Sequence, residues 1–188
     1  MTLIYLVRTG EPDYTPVESR GWSGLAAGLA PLAAVGIKQA EAIADELSGI
    51  GATYLVCSPY TRAVQSAAVI GHRLALGVRV DFDLRDWLPD TAGDWRGQAD
   101  VRAAYAEFIA YDGEWPEGVP RAWEPMSRIR ERSRTALLRH TSITDGPILV
   151  VTHALVIRAL SGEDSTPHGG HQRLWFDAAE AESSGPQV

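Results

Sequence analysis

Cysteine is almost missing from this chain: Cys57 stands alone, so no disulfide can form within it, and a solitary thiol suits a reducing compartment. Lysine is as scarce. Lys38 is the one lysine among 17 basic residues, so fixed positive charge here is guanidinium charge. Guanidinium forks suit carboxylate and phosphate, but each must be argued at its own position. There is no cationic excess either. A net charge of −7 argues against a nucleic-acid surface, which depends on neutralising many phosphates, yet it leaves room for a small basic pocket. No apolar run approaches the roughly 20 residues that cross a bilayer, so no membrane partner is expected. The first apolar run stops at Arg8, too short for the core of a secretory signal, and a cytoplasmic location is expected.

What is present suits one compact core: 188 residues, 45% of them hydrophobic and 22% charged. One domain over residues 1–178 is expected, with 179–188 as an unfolded tail. Three short runs rich in β-branched or aromatic residues read as buried parallel strands: "LIYLV" (3–7), "TYLVC" (53–57) and "PILVV" (147–151). Helical patterns follow them. Residues 32–47 put Ile37, Ala40, Ile43, Ala44 and Leu47 on one face. Residues 58–74 open with Ser58 as a candidate N-cap and Pro59 at the first helical position. Residues 99–111 group Val101, Tyr105 and Phe108, and the more polar stretch 126–140 reads as a helix covering one sheet face. The segment 112–125, rich in Pro, Gly and Trp, reads as a loop that overhangs a site. Strands alternating with helices imply a three-layer α/β sandwich with a mostly parallel central sheet. Ligands in such sheets bind beyond the carboxyl ends of the strands. Arg8 follows the first strand, Ser58 and Arg62 the second, and Thr152-His153-Ala154 the third, so two arginines and a histidine converge on one edge.

These segments, "LVRTGE", "LAPLAAVGIKQAEAIADEL", "SPYTRAVQSA", "LRDWLPDTAGDWRG" and "VVTHALVIRAL", resemble the histidine phosphatase (phosphoglycerate mutase-like) superfamily over about residues 3–160. Each piece is weak alone; five in the family's order are specific. The resemblance implies a pocket for a phosphate monoester, with Arg8, Arg62 and His153 as its anion-binding trio and Thr15 as a further hydrogen bonder. It also implies a carboxyl proton donor at Asp86, with Asp90 and Asp94 as competitors for that role. No metal and no cofactor is implied. His168 and His171, an i, i+3 pair in a Gly-rich stretch, lack further ligands at matching spacing.

One departure governs the functional expectation. In the family the residue at position 9 is a histidine that takes the phosphoryl group, and here it is Thr9. A neutral imidazole is a good nucleophile near pH 7, whereas a threonine hydroxyl needs a positioned base, and phosphothreonine is a stable ester. The acid position holds Asp86 instead of glutamate, one methylene shorter, and Thr15 stands where asparagine is common. The family's "GES" segment is replaced by "WEPMS" (123–127). Three readings follow. The chain is a pseudo-phosphatase that binds a small phosphorylated or anionic molecule, with a protein partner compatible. Alternatively it is a repurposed enzyme that uses His153 and Asp86 for other acid–base chemistry, with Glu11 and Asp94 in reserve. A third is a weak phosphomonoesterase in which water attacks directly. Tryptophans at 22, 87, 95, 115 and 123 fall in segments expected near the pocket; any single one of them is more readily explained by packing under a loop. Cys57 reads as a buried small hydrophobe, and His72 and His140 as surface groups.

Overall fold

The computed structural model describes residues 1–179; the expected tail otherwise lies outside the described residues. Five strands, β1 (Thr2–Arg8), β2 (Tyr54–Cys57), β3 (Val78–Val80), β4 (Ile148–Thr152) and β5 (His171–Phe176), form one sheet in the order β3-β2-β4-β1-β5. All neighbours run parallel except β5, which pairs antiparallel with β1. Among the described residues the complete α-helices are α1 (Thr15–Glu18), α2 (Ala34–Glu46), α3 (Thr61–Leu74), α4 (Gln98–Ala110), α5 (Met126–Thr141) and α6 (Ala154–Ser161).

The two-residue period of the central strands divides their side chains between two helical layers. Val7, Leu55, Cys57, Leu149 and Val151 pack against Ile43 and Ala44 of α2 and Ala63, Ala67 and Ile70 of α3. Ile4, Leu6, Tyr54, Val56, Ile148 and Val150 pack against Ala136 and Leu137 of α5 and Ile157 of α6. Both faces being covered explains why these strands read as continuous apolar runs. Each fully buried Leu, Ile or Val is worth about 1.5–3 kcal/mol. A third cluster lies outboard, where Trp87, Phe108, Trp123, Met126 and Ile129 close together.

Several expectations are corrected. The α3 helix begins at Thr61 with Tyr60 as its N-cap; Ser58 and Pro59 stay outside it, and the Ser58 hydroxyl is used elsewhere. Ile37 is 45% exposed, and the buried face of α2 includes Gly36 instead. The reason is steric: a Cβ on Gly36 would run into the Glu11 backbone, and one on Gly10 into the backbone of Gly36. The α2 N-terminus therefore lies directly on the loop that follows β1. His140 is not a surface group: it lies between the Tyr54 hydroxyl at 3.0 Å and Asp81 at 2.9 Å. The 112–125 segment does not overhang as a whole, because its Trp123 and Glu124 are buried beneath the surface. The short strands β3 and β5 were not expected; both are edge strands without an uninterrupted apolar run.

Candidate functional site

The parallel strands β1, β2 and β4 end together, at Arg8, Cys57 and Thr152, and the segments leaving them build the site. Thr9 is buried, its N–H donating to the Thr152 carbonyl at 3.0 Å and its own carbonyl accepting from Gly169 N–H at 3.2 Å and His168 Nδ1 at 3.1 Å. These bonds all run through its backbone, and its hydroxyl has none among the described residues. The next residue is fixed as well, since Gly10 N–H donates to Ser66 Oγ at 3.1 Å.

Arg8 donates to the Thr166 carbonyl at 2.7 Å, and its other terminal nitrogen lies 3.0 Å from His168 Nε2. The His168 tautomer follows from its partners. Its Nδ1–H donates to the Thr9 carbonyl, which leaves Nε2 to accept from the guanidinium. Burial and the nearby Arg8 and Arg62 charges push this imidazole below its usual value, against the pull of the Thr9 carbonyl and Glu11. Burial, with Arg62 adding repulsion, also depresses the Arg8 guanidinium, which Asp86 partly offsets. Arginine stays cationic through such a shift.

Arg62 is buried on the first turn of α3 and forms a 2.7 Å ion pair with Asp86 Oδ2. The same carboxylate oxygen lies 3.4 Å from His153 Nδ1, while His153 Nε2 is 2.7 Å from Ser58 Oγ. Burial opposes the charge on Asp86, but His153 when it is protonated, the Arg62 guanidinium and the Trp87 N–H outweigh it and hold its carboxyl below the usual range. Burial depresses His153 to about 3, helped by Arg62, Arg132 and Arg8 and resisted by Asp86. The arrangement near pH 7 is an ionised Asp86 held by Arg62 and the Trp87 N–H, next to a neutral His153. With Asp86 only an acceptor, the proton of His153 belongs on Nδ1, and Nε2 accepts from the Ser58 hydroxyl. Both ring nitrogens are thus engaged.

Asp86 is aimed by a buried ion pair behind it. Arg132 binds Glu124 through two bonds, Nε to Oε1 at 2.7 Å and NH2 to Oε2 at 3.0 Å. Its NH1 donates to the carbonyls of Asp83 at 2.6 Å and Arg85 at 2.8 Å, pinning the segment that carries Asp86. Glu124 is fully buried and also receives Arg85 at 3.2 Å.

The site thus assembles Arg8, Thr9, Arg62, Asp86 and His153. Asp90 instead accepts from Ala92 N–H at 2.7 Å in a turn, and Asp94 is exposed. Thr15 is exposed at the start of α1, its N–H on Asp13 Oδ1 at 2.9 Å, and its neighbour Tyr14 is the residue that faces the adjoining cavity. Glu11 is exposed, with its N–H on Gln39. The cavity, about 150 Å³, opens beside Arg62 and Asp86. Trp22, Trp87 and Trp95 line it, whereas Trp115 and Trp123 pack against the outboard cluster. His168 and His171 go separate ways, the latter standing 3.6 Å from Glu46. Among the described residues no group of three or more His, Cys, Asp or Glu side chains is placed to hold a metal ion. Sequence reasoning missed Ser58, His168, Glu124 and Arg132 as site residues. Only the proximity of Ser58 to Arg62 in the chain offered a signal for any of them.

Residues 4–172 match the model of the histidine phosphatase superfamily (branch 1). A glucosyl-3-phosphoglycerate phosphatase of Mycobacterium tuberculosis is 31% identical over 172 residues, spanning 84% of this chain and 73% of that protein. The native structure of the mycobacterial glucosyl-3-phosphoglycerate phosphatase superposes with a TM-score of 0.66 at 27% identity, covering 86% of this chain and 78% of the other. A vanadate complex of the mycobacterial enzyme gives 0.72 at 23% identity over 93% and 91%, a likeness of fold.

Proposed function

The chain belongs to the histidine phosphatase superfamily, and from that premise we propose that it binds a small phosphorylated or anionic molecule at Arg8 and Arg62 without passing a phosphoryl group to residue 9. The observation that carries this reading is the chemistry at position 9. Among the described residues the Thr9 hydroxyl has no hydrogen-bond partner that could act as its base, and an unactivated hydroxyl is a poor nucleophile at neutral pH. The cations around it remain suited to an anion. Arg62 offers five N–H donors, of which one is committed to Asp86, so a dianion has donors to engage. Proposed along with it are a single domain over 1–178 and independence from metal.

A second reading is favoured by one specific observation, the Ser58–His153–Asp86 chain. A neutral imidazole whose Nδ1 faces a carboxylate is placed to accept a proton at Nε2 once Ser58 turns away, which suits acid–base chemistry on a bound anion.

Hydrolysis of an aryl phosphate by the native protein and by Thr9→His, with inorganic phosphate binding measured on both, separates these readings. Binding by both proteins, with turnover only in Thr9→His, is the expected result. Turnover by the native protein that disappears in His153→Gln would replace it with direct attack by water. Absence of phosphate binding in both would remove the anion-binding reading altogether.

A further inference from the structure

The cavity beside Arg62 is unusual in the charge it carries. Its aromatic walls come from Tyr14, Trp22, Tyr60, Trp87 and Trp95. Among the described residues its only cation is Arg62, already paired with Asp86 at 2.7 Å. The lining also includes Glu18, an exposed carboxylate on α1 that takes part in no ion pair among the described residues. Beyond the Arg62–Asp86 pair, therefore, the cavity presents aromatic faces and one uncompensated negative charge.

Two of these rings already serve as cation platforms. The Arg62 guanidinium lies over Tyr60 at 4.9 Å, and that of Arg20, which does not line the cavity, over Trp22 at 5.5 Å. Aromatic walls with a nearby carboxylate favour a weakly hydrated cation, because the ring quadrupole attracts it where water is excluded. A cavity near 150 Å³ holds a benzene-sized group, which admits a compact ammonium head and excludes a nucleoside.

We propose that the ligand is a zwitterionic phosphate ester of an amino alcohol, its phosphate on Arg8 and Arg62 and its quaternary ammonium end in the aromatic cavity beside Glu18. This rests on the anion-binding reading above and adds the class of molecule. A neutral sugar would gain nothing from the Glu18 charge, and a second anion would face the Glu18 and Asp86 carboxylates.

Calorimetric titration of the native protein with phosphocholine, with 3,3-dimethylbutyl phosphate (the same shape with carbon in place of the ammonium nitrogen) and with inorganic phosphate tests the assignment. Phosphocholine is expected to bind about threefold tighter than its neutral isostere, the contribution of a cation at partly exposed aromatic faces. Glu18→Gln and Trp22→Ala, both at exposed side chains, are expected to erase most of that preference and leave inorganic phosphate binding unchanged. Equal or tighter binding of the isostere overturns the ammonium assignment while the anion site stands. Failure of all three compounds to bind overturns the anion site and the assignment together.

Discussion

Glu124 supports the sheet edge that carries the candidate site without facing it. Its carboxylate is fully buried and holds Arg132 bidentately and Arg85 at 3.2 Å, while Arg132 grips the carbonyls leading to Asp86. Removing one member of a buried ion pair strands the other charge, at a cost of about 3–5 kcal/mol. Glu124→Ala is therefore expected to lower the free energy of unfolding by that amount in urea denaturation. Little of this was legible. "WEPMS" reads as a departure within a loop, and nothing in the spacing of Glu124 and Arg132 announces that they meet across the turn into α5. Arg8, Arg62 and His153 were legible, because each stands directly after an apolar strand or one turn into the helix that follows. His168 was not, because its contacts with Arg8 and Thr9 come from a segment some 160 residues away in sequence.

The elements that could be read from sequence are those that repeat a pattern. Both faces of β1, β2 and β4 are covered, so their apolar runs are unbroken, and α2, α3 and α5 bury periodic faces. Those that could not are set by single contacts. The three residues of β3 are all exposed and too few to carry a readable pattern, and α3 starts two residues late because Ser58 is drawn to His153. The most consequential single contact lies between α2 and the turn after Thr9, where Gly10 and Gly36 allow backbone to touch backbone. Alanine at position 36 gains about 1 kcal/mol of helix propensity but meets a backbone carbonyl that has no rotamer with which to yield. Overpacking of this kind costs about 1–3 kcal/mol. Gly36→Ala is expected to lower the melting temperature by a few degrees and to weaken phosphate binding, since the displaced chain carries Arg8 and Thr9. Gly77→Ala, where a Cβ meets nothing within 4 Å, is the control and should leave phosphate binding unchanged.

For the molecule as a whole, acid sets two effects against each other. The net charge of −7 falls toward zero as pH approaches the isoelectric point near 5.2, which relieves self-repulsion and favours the compact state. His153 acts in the opposite sense. Burial holds its imidazole neutral to about pH 3, whereas the unfolded chain takes up that proton near its ordinary value of 6.5. Between those values the unfolded state binds more protons, so stability rises with pH and is lost as pH falls. Asp86 adds to the loss further down, because its depressed carboxyl contributes stability above its unfolded value that disappears as pH drops through the folded one. One proton is worth about 1.4 kcal/mol per pH unit, so His153 alone removes about 2 kcal/mol between pH 6.5 and 5. Relief of surface repulsion is spread over exposed, salt-screened charges and is the weaker term near 0.15 M salt. Urea unfolding at pH 7.5 and pH 5.0 distinguishes the two. The native protein is expected to lose stability on acidification, and His153→Gln, which carries the same charge at pH 7.5, is expected to lose about 2 kcal/mol less. Parallel losses in the two proteins would mean that His153 takes up its proton in the folded state, with the Asp86 carboxylate stabilising an imidazolium.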